Sequence, residues 1–341
     1  TIEGEGIDKS ILDGEQYTGG MISNYESELI IKNITLRNGA NTVSSGGTIT
    51  NMGNLTLDTV KVSDSIVKNA NGGAIYSVGH LTIINSTFSN NLVNSGASGG
   101  SGGVIYTDGY YSSLDYYPSL EIYDSEFIGN SAKGGSFGGG AIYMQVVNGN
   151  KVIKNTKFIN NNAVAGGAIF MQRSEGDFIM DNVSFIGNKA TGSASIYGGG
   201  AICLIGISDG RVGNVSITNS LFENNSAKNT LGGGAIFDRN VDLNISNSVI
   251  LNNKDNDENL QICKHTTVYL PSGGRISLDD NWWGTNDLSS LSTLASNVTI
   301  NRWVVMDLSA EVNGSAQSSG SDLNLYSVKV SLDKYSDGTS I

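Results

Sequence analysis

Three acids recur at nearly the same offset behind a glycine doublet. Glu175 lies nine residues past Gly166, Asp209 ten past Gly199 and Asp242 nine past Gly233. If the doublets stack, these carboxylates form a column at roughly 5 Å per step, a pairing that glycoside hydrolysis can use. Arg173, Arg211 and Arg239 lie close by in sequence and could hold an acidic sugar. Against this, polar corners are ordinary and a fold does not dictate an activity. Only 20 Lys and Arg stand against 32 Asp and Glu, which disfavours a lyase acting on polyuronates. A polysaccharide-degrading enzyme is therefore the alternative, and a non-catalytic role is expected.

Other chemistries have less to stand on. His80 and His265 are the only histidines and lie far apart, and Cys203 and Cys263 are the only cysteines, so three His/Cys ligands at metal spacing cannot be assembled. A Ser-His-Asp or Cys-His site at His265 lacks a nucleophile elbow. Asp255-Asn256-Asp257-Glu258-Asn259 gathers hard oxygen ligands, but neither an EF-hand spacing nor a Gly-Gly-x-Gly-x-Asp nonapeptide is present, and a solvated turn is expected. No metal and no cofactor are expected.

Binding chemistry concentrates in the insertion Asp108-Gly109-Tyr110-Tyr111-Ser112-Ser113-Leu114-Asp115-Tyr116-Tyr117-Pro118. Tyrosine rings stack on the apolar faces of sugars, and carboxylates accept hydroxyl hydrogen bonds. Tyr110, Tyr111, Tyr116, Tyr117, Asp108 and Asp115 are the candidate ligand-binding residues. The competing reading is that these rings fold back to cover apolar wall, since a loop must also be anchored.

The elements that would position these residues are read from a repeat. Gly-Gly-x-Ile begins at positions 19, 46, 72, 102, 139, 166, 199 and 233, with steps of 27, 26, 30, 37, 27, 33 and 34. A minimum near 26 with variable excess describes a fixed unit carrying insertions. Each unit adds a short alternating run, such as Leu55-Thr56-Leu57, Leu81-Thr82-Ile83 or Leu120-Glu121-Ile122. It then adds a Phe-x-x-Asn run, at Phe88, Phe127, Phe158, Phe185 and Phe222, softened at Ile250. Alternation with period two reads as strand, and no sustained helical period occurs. Three short strands per coil predict an all-β, right-handed parallel β-helix of about ten coils over residues 1–303. A β segment over 304–341 would be a cap or the start of an Ig-like domain. A β-propeller blade needs about 40 residues, more than the shortest units supply.

In this fold the doublets mark corners that need positive φ or close backbone approach. The Asn ending each Phe-x-x-Asn run tolerates the left-handed region and can bond to its equivalent one coil away. If Ile of Gly-Gly-Ala-Ile points inward, then Tyr76, Tyr106, Tyr143, Phe170, Cys203 and Phe237 form an outward column; the opposite parity reverses this. Cys203 and Cys263 would then lie two rungs apart, about 9.6 Å, too far for a disulfide. Trp282 and Trp283 follow the last repeat and are expected to plug its open end.

Composition bounds the rest. Glycine takes 45 of 341 positions and asparagine 39; proline appears twice, as a laddered fold requires. The net charge of −12 argues against nucleic acid as a partner. No apolar run is long enough to cross a bilayer as a helix, so no membrane insertion by this chain is expected. No secretory signal is read at Thr1-Ile2-Glu3-Gly4, and its absence there says little about where the protein resides. Nine Asn-x-Ser/Thr sequons, at Asn33, Asn54, Asn85, Asn182, Asn214, Asn224, Asn244, Asn297 and Asn313, suggest a secreted, glycosylated surface, although an Asn- and Ser-rich chain makes sequons by chance.

The paired Gly-Gly-Ala-Ile and Phe-x-x-Asn elements resemble the repeats of chlamydial polymorphic outer-membrane proteins. The whole pattern, ending in Asn281-Trp282-Trp283-Gly284-Thr285-Asn286, resembles methanogen adhesin-like surface proteins, over about residues 19–303. The resemblance implies an extracellular, cell-surface adhesin, anchored by other segments and with no catalytic residues to carry over. The expected function is a monomeric module that binds glycans or proteins of a host or neighbouring cell through loops and outer wall. A passive stalk is the third reading.

Overall fold

The computed structural model describes all residues except 97–99, 110–117, 135–136, 193–196, 207–212, 229–231, 257–261, 265–273, 288–294, 297–299 and 319–320. The described chain is a parallel β-helix. The first ladder stacks Ile75–Ser77, Ile105–Asp108, Ile142–Gln145, Ile169–Gln172, Ile202–Ile205, Ile236–Arg239 and Ile262–Lys264. The second stacks His80–Ile84, Leu120–Tyr123, Lys151–Lys154, Asp177–Asp181, Asn214–Thr218 and Asp242–Ser246. The third stacks Thr87–Ser89, Glu126–Ile128, Lys157–Ile159, Ser184–Ile186, Leu221–Glu223 and Val249–Leu251. A fourth ladder of two- and three-residue strands joins the three expected ones, from Ala40–Asn41 to Lys254–Asp255. In the two N-terminal coils, the single strands Ile22–Arg37 and Ile49–Ser63 run through the first three ladders.

Each coil lacks a core of its own, so coils share one. Ile75, Ile105, Ile142, Ile169, Ile202 and Ile236 all point into the lumen, which settles the parity of the glycine-corner strand. The Phe-x-x-Asn phenylalanines stack there too, at 4.8 Å for Phe88–Phe127 and 4.9–5.0 Å for the pairs on to Phe222. This is the strand spacing itself, so register alone places each ring face on the next.

The glycine doublet divides its two tasks. The first glycine, for example Gly139 (φ 78°), takes the left-handed region. The second, Gly140, has no room for a side chain, because a Cβ would overlap the Gly167 carbonyl oxygen of the next coil. At the Phe-x-x-Asn corner the expectation needs correcting. The left-handed residue is the one before the final Asn: Asn90, Gly129, Asn160, Gly187, Asn224 and Asn252 have φ of 54–66°. The final Asn instead turns inward, and Asn91, Asn130, Asn161, Asn188, Asn225 and Asn253 are buried. From Asn130 onward each side-chain oxygen accepts from the backbone N–H and the amide of the Asn one coil earlier, at 2.8–3.0 Å, while the Asn91 oxygen accepts from the Ser65 backbone N–H. Each amide from Asn130 onward also donates to a carbonyl of the preceding coil, as Asn161 does to Phe127. Buried polar groups are thereby satisfied, and the expected bond between equivalent Asn residues is present.

The outward column of the first ladder does not face water. Tyr76, Tyr106, Tyr143 and Phe170 stack at 4.9–5.8 Å outside the lumen. Phe137 and Tyr197, from the connections entering the glycine corner, lie edge-on over Phe170, and Tyr197 reaches Phe237. A second apolar cluster results, with Cys203 at its centre. Cys203 pairs in register with Phe237 and Phe237 with Cys263, two rungs as expected.

At the C-terminal end Trp283 and Trp303 join the core, while Trp282 is only partly buried. The plug is therefore Trp283 with Trp303, not the adjacent pair. Arg302 forks onto Asp280 and lies 4.2 Å over the Tyr335 ring. It ties the solenoid to an antiparallel ribbon of Val304–Ser318 and Ser321–Tyr335.

Candidate binding groove on the outer wall

The outer face of the second ladder carries a groove of about 550 Å³. Its lining residues come from five consecutive coils: Glu28; Asn54 and Thr56; His80 and Thr82; Ser119 and Glu121; Gly149 and Asn150. Strand alternation explains the set. Leu55, Leu81 and Leu120 point inward, so the residues on either side of each point out. Register then aligns Glu28, Asn54 and His80 in one row and Thr56, Thr82 and Glu121 in the next.

The wall behind is held by buried amides. Asn24 donates to Asn51 Oδ1 at 2.8 Å and to the Asn54 carbonyl at 3.2 Å. Asn51 donates to Ser77 Oγ at 2.9 Å and to the His80 carbonyl at 3.0 Å. His80 Nδ1 and Ser119 Oγ are hydrogen-bonded at 2.6 Å. The Tyr123 hydroxyl donates to Glu121 at 3.1 Å, and burial followed by that carboxylate pushes the tyrosine pKa up. The lip at 149–150 is fixed from inside by Lys151, which is 1% exposed. Its Nζ donates to the carbonyls of Val147, Gly149 and Glu175 at 3.0, 3.1 and 2.6 Å. Burial lowers the pKa of this ammonium to about 8, partly offset by Asp177 and Glu175.

Of the residues singled out in sequence, Tyr110, Tyr111, Asp115, Tyr116 and Tyr117 lie outside the described residues. Asp108 does not belong to the loop. It ends the strand Ile105–Asp108, is 6% exposed and accepts the Tyr76 hydroxyl at 3.4 Å. The described residues that flank the insertion are held: Gly109 N–H donates to the Gln145 carbonyl at the end of the first ladder, and at the groove the Pro118 carbonyl accepts from Gly149 while Ser119 holds His80.

The acid column is different from the one read in sequence. Asp242 aligns with Asn214 and Asn214 with Asp177, while Glu175 sits two residues off that register. Asn214 stands between the two acids and donates to Asp177 at 3.0 Å. Asp209, Arg211 and His265 lie outside the described residues. In the groove itself Glu28 and Glu121 are three rungs apart, about 14 Å by strand spacing. That exceeds the roughly 5–9.5 Å that separates paired catalytic carboxylates in glycosidases. Asp255 is buried in the fourth ladder, and Asp257, Glu258 and Asn259 lie outside the described residues. Among the described residues no group of three or more His, Cys, Asp or Glu is placed to hold a metal.

Residues 219–238 match the Chlamydia polymorphic membrane protein repeat. The matched stretch runs from the turn at Asn219 through Phe222 and the buried Asn225 to the glycine corner and Ile236, so it joins the two elements that define each coil. No curated protein and no solved structure matches the chain. The chain thus carries a repeat of the polymorphic membrane protein type within a parallel β-helix.

Proposed function

We propose that this protein is a surface-displayed adhesin module that binds glycans or proteins of a partner cell without catalysing a reaction. The observation that carries the reading is a polar groove on the outer wall, with Pro118, which follows the tyrosine-rich insertion in sequence, bonded to Gly149 at its rim. The polymorphic membrane protein repeat supports an outer-surface location. The likeness of the Trp282-Trp283 terminus to methanogen adhesin-like proteins supports an archaeal source. Exposed sequon side chains at Asn85, Asn182, Asn214, Asn224 and Asn244 are open to glycosylation. The separation of Glu28 from Glu121 weighs against hydrolysis in the groove, and the acidic charge weighs against nucleic acid.

The test is retention of the purified chain on a glycan array and on a panel of microbial and epithelial cells. Replacing Tyr110, Tyr111, Tyr116 and Tyr117 with Ala should abolish retention. Unchanged retention would remove the insertion from the contact surface. Absence of binding by the unaltered chain would favour a stalk, and reducing-sugar release from a polysaccharide panel would favour the enzyme.

A further inference from the structure

The groove has a period, a polarity and a charge, and together these specify a ligand more closely than adhesion does. Its period is the coil: at least one polar side chain lines it on each of five rungs, spanning about 19 Å along the helix axis. A step of about 4.8 Å is close to the length of one pyranose ring in an extended chain. Its polarity is that of a hydroxyl-rich partner, because Asn54, Thr56, Thr82, Ser119 and Asn150 each both donate and accept. Its charge is negative. Glu28 and Glu121 stand near its two ends, and among the described residues no lysine or arginine lines it. The chain as a whole carries −12. A polyanionic glycan would enter against both the local and the long-range field. Beside Glu28 on the same coil, across the irregularity between Tyr25 and Glu28, the Tyr25 ring is 61% exposed and offers a face to the flank of the sugar at that end.

We propose that this groove holds a linear, non-anionic glycan laid parallel to the helix axis, one sugar per coil, with Glu28 and Glu121 favouring chains that carry amino sugars. The assignment rests on the adhesin reading but is confined to one face of the rod. Amino groups spaced three residues apart along the chain meet the two carboxylates together. The intervening hydroxyls meet Asn54, Thr56, Thr82 and Ser119. His80 sits between the acids, its Nδ1 hydrogen-bonded to Ser119.

Calorimetry of the whole chain tests this with β-1,4-linked glucosamine, N-acetylglucosamine and galacturonate oligomers of two to six units. Affinity should rise with each added unit to about five and then level off. Glucosamine chains should bind about three- to tenfold more tightly than their acetylated counterparts, the range for two exposed ion pairs. Galacturonate should not bind. Glu28→Gln with Glu121→Gln should close the gap between the amino and acetylated series without removing either. Thr82→Arg, on an outward strand position, should abolish both while leaving the melting temperature unchanged. Binding independent of length, binding of galacturonate as tight as glucosamine, or no binding of any series would overturn the assignment. If cells retain the unaltered chain and Thr82→Arg equally, the groove assignment falls and adhesion through another surface stands. If cells fail to retain the unaltered chain, the adhesin reading itself falls.

Discussion

Each coil turns four corners, and they are of two kinds. The corner between second and third ladders and the corner between third and fourth are two residues long in every coil from Ile84 to Lys254. Each pairs a left-handed residue with an inward one, such as Asn155 with Thr156 or Asn160 with Asn161. The inward residues mostly bond coil to coil: the Asn ladder at one corner, and at the other Ser86, Ser125, Thr156, Ser220 and Ser248, each accepting a backbone N–H from the coil before. The other two corners vary: two to eleven residues separate first from second ladder, and five to eleven separate fourth from first. Length is constrained where a buried hydrogen bond must find the same atom in the next coil, and free where no such ladder exists. Both distinctive surfaces belong to the free corners. The groove lip lies at one, and the aromatic roof of Phe137 and Tyr197 lies at the other.

The sharpest way to break this division is Asn161→Ala at a fixed corner. It strips the acceptor from two donors of Asn130 and the donor from Phe127, all buried, and should cost about 3–5 kcal/mol in urea unfolding. Lys151→Met probes a free corner that has acquired a buried polar anchor. Between pH 8 and 10.5 the unfolded lysine holds a proton that the folded one has released. Wild-type stability should therefore rise with pH relative to the variant, by about 1–3 kcal/mol across that window, and the difference should be flat below it. Phe137→Ser with Tyr197→Ser opens the roof. Global stability should fall by only about 1–2 kcal/mol, because Phe137 is already 37% exposed. The buried Cys203 thiol, held protonated by burial and Asp238, should change from inert to reactive toward a thiol reagent. Smallest of all, replacing 110–117 with a Gly-Ser linker of equal length should shift stability by less than about 0.5 kcal/mol while removing cell retention.

The distinction between corners bears on what could be read in the sequence. The ladders were legible because the fixed corners force a constant offset: Phe88-Ser89-Asn90-Asn91 and Phe222-Glu223-Asn224-Asn225 differ in the surface residue but keep the buried ones. The fourth ladder escaped notice because strands of two or three residues, such as Asn162–Ala163, are too short to alternate. The groove was also present in sequence, as the outward neighbours in Asn54-Leu55-Thr56, His80-Leu81-Thr82 and Ser119-Leu120-Glu121. Seeing it required aligning those triplets across insertions of different length. Counting acids from the glycine doublet crossed a free corner, so Glu175 fell out of step with Asp242. Asp108 was assigned to the insertion because nothing in Thr107-Asp108-Gly109 marks where strand ends and loop begins.

The Asn ladder makes the rod a ruler with a fixed graduation. A whole coil added or lost, Asn to Asn, would leave every surviving amide with an equivalent partner, so the interior could not register the change. The outside would: a coil inserted at Asn91 would move Glu28 and Glu121 apart by one division, and any ligand reading both would be re-measured. Homologous exchange between coils could thus alter what the surface spans while leaving the solenoid itself intact.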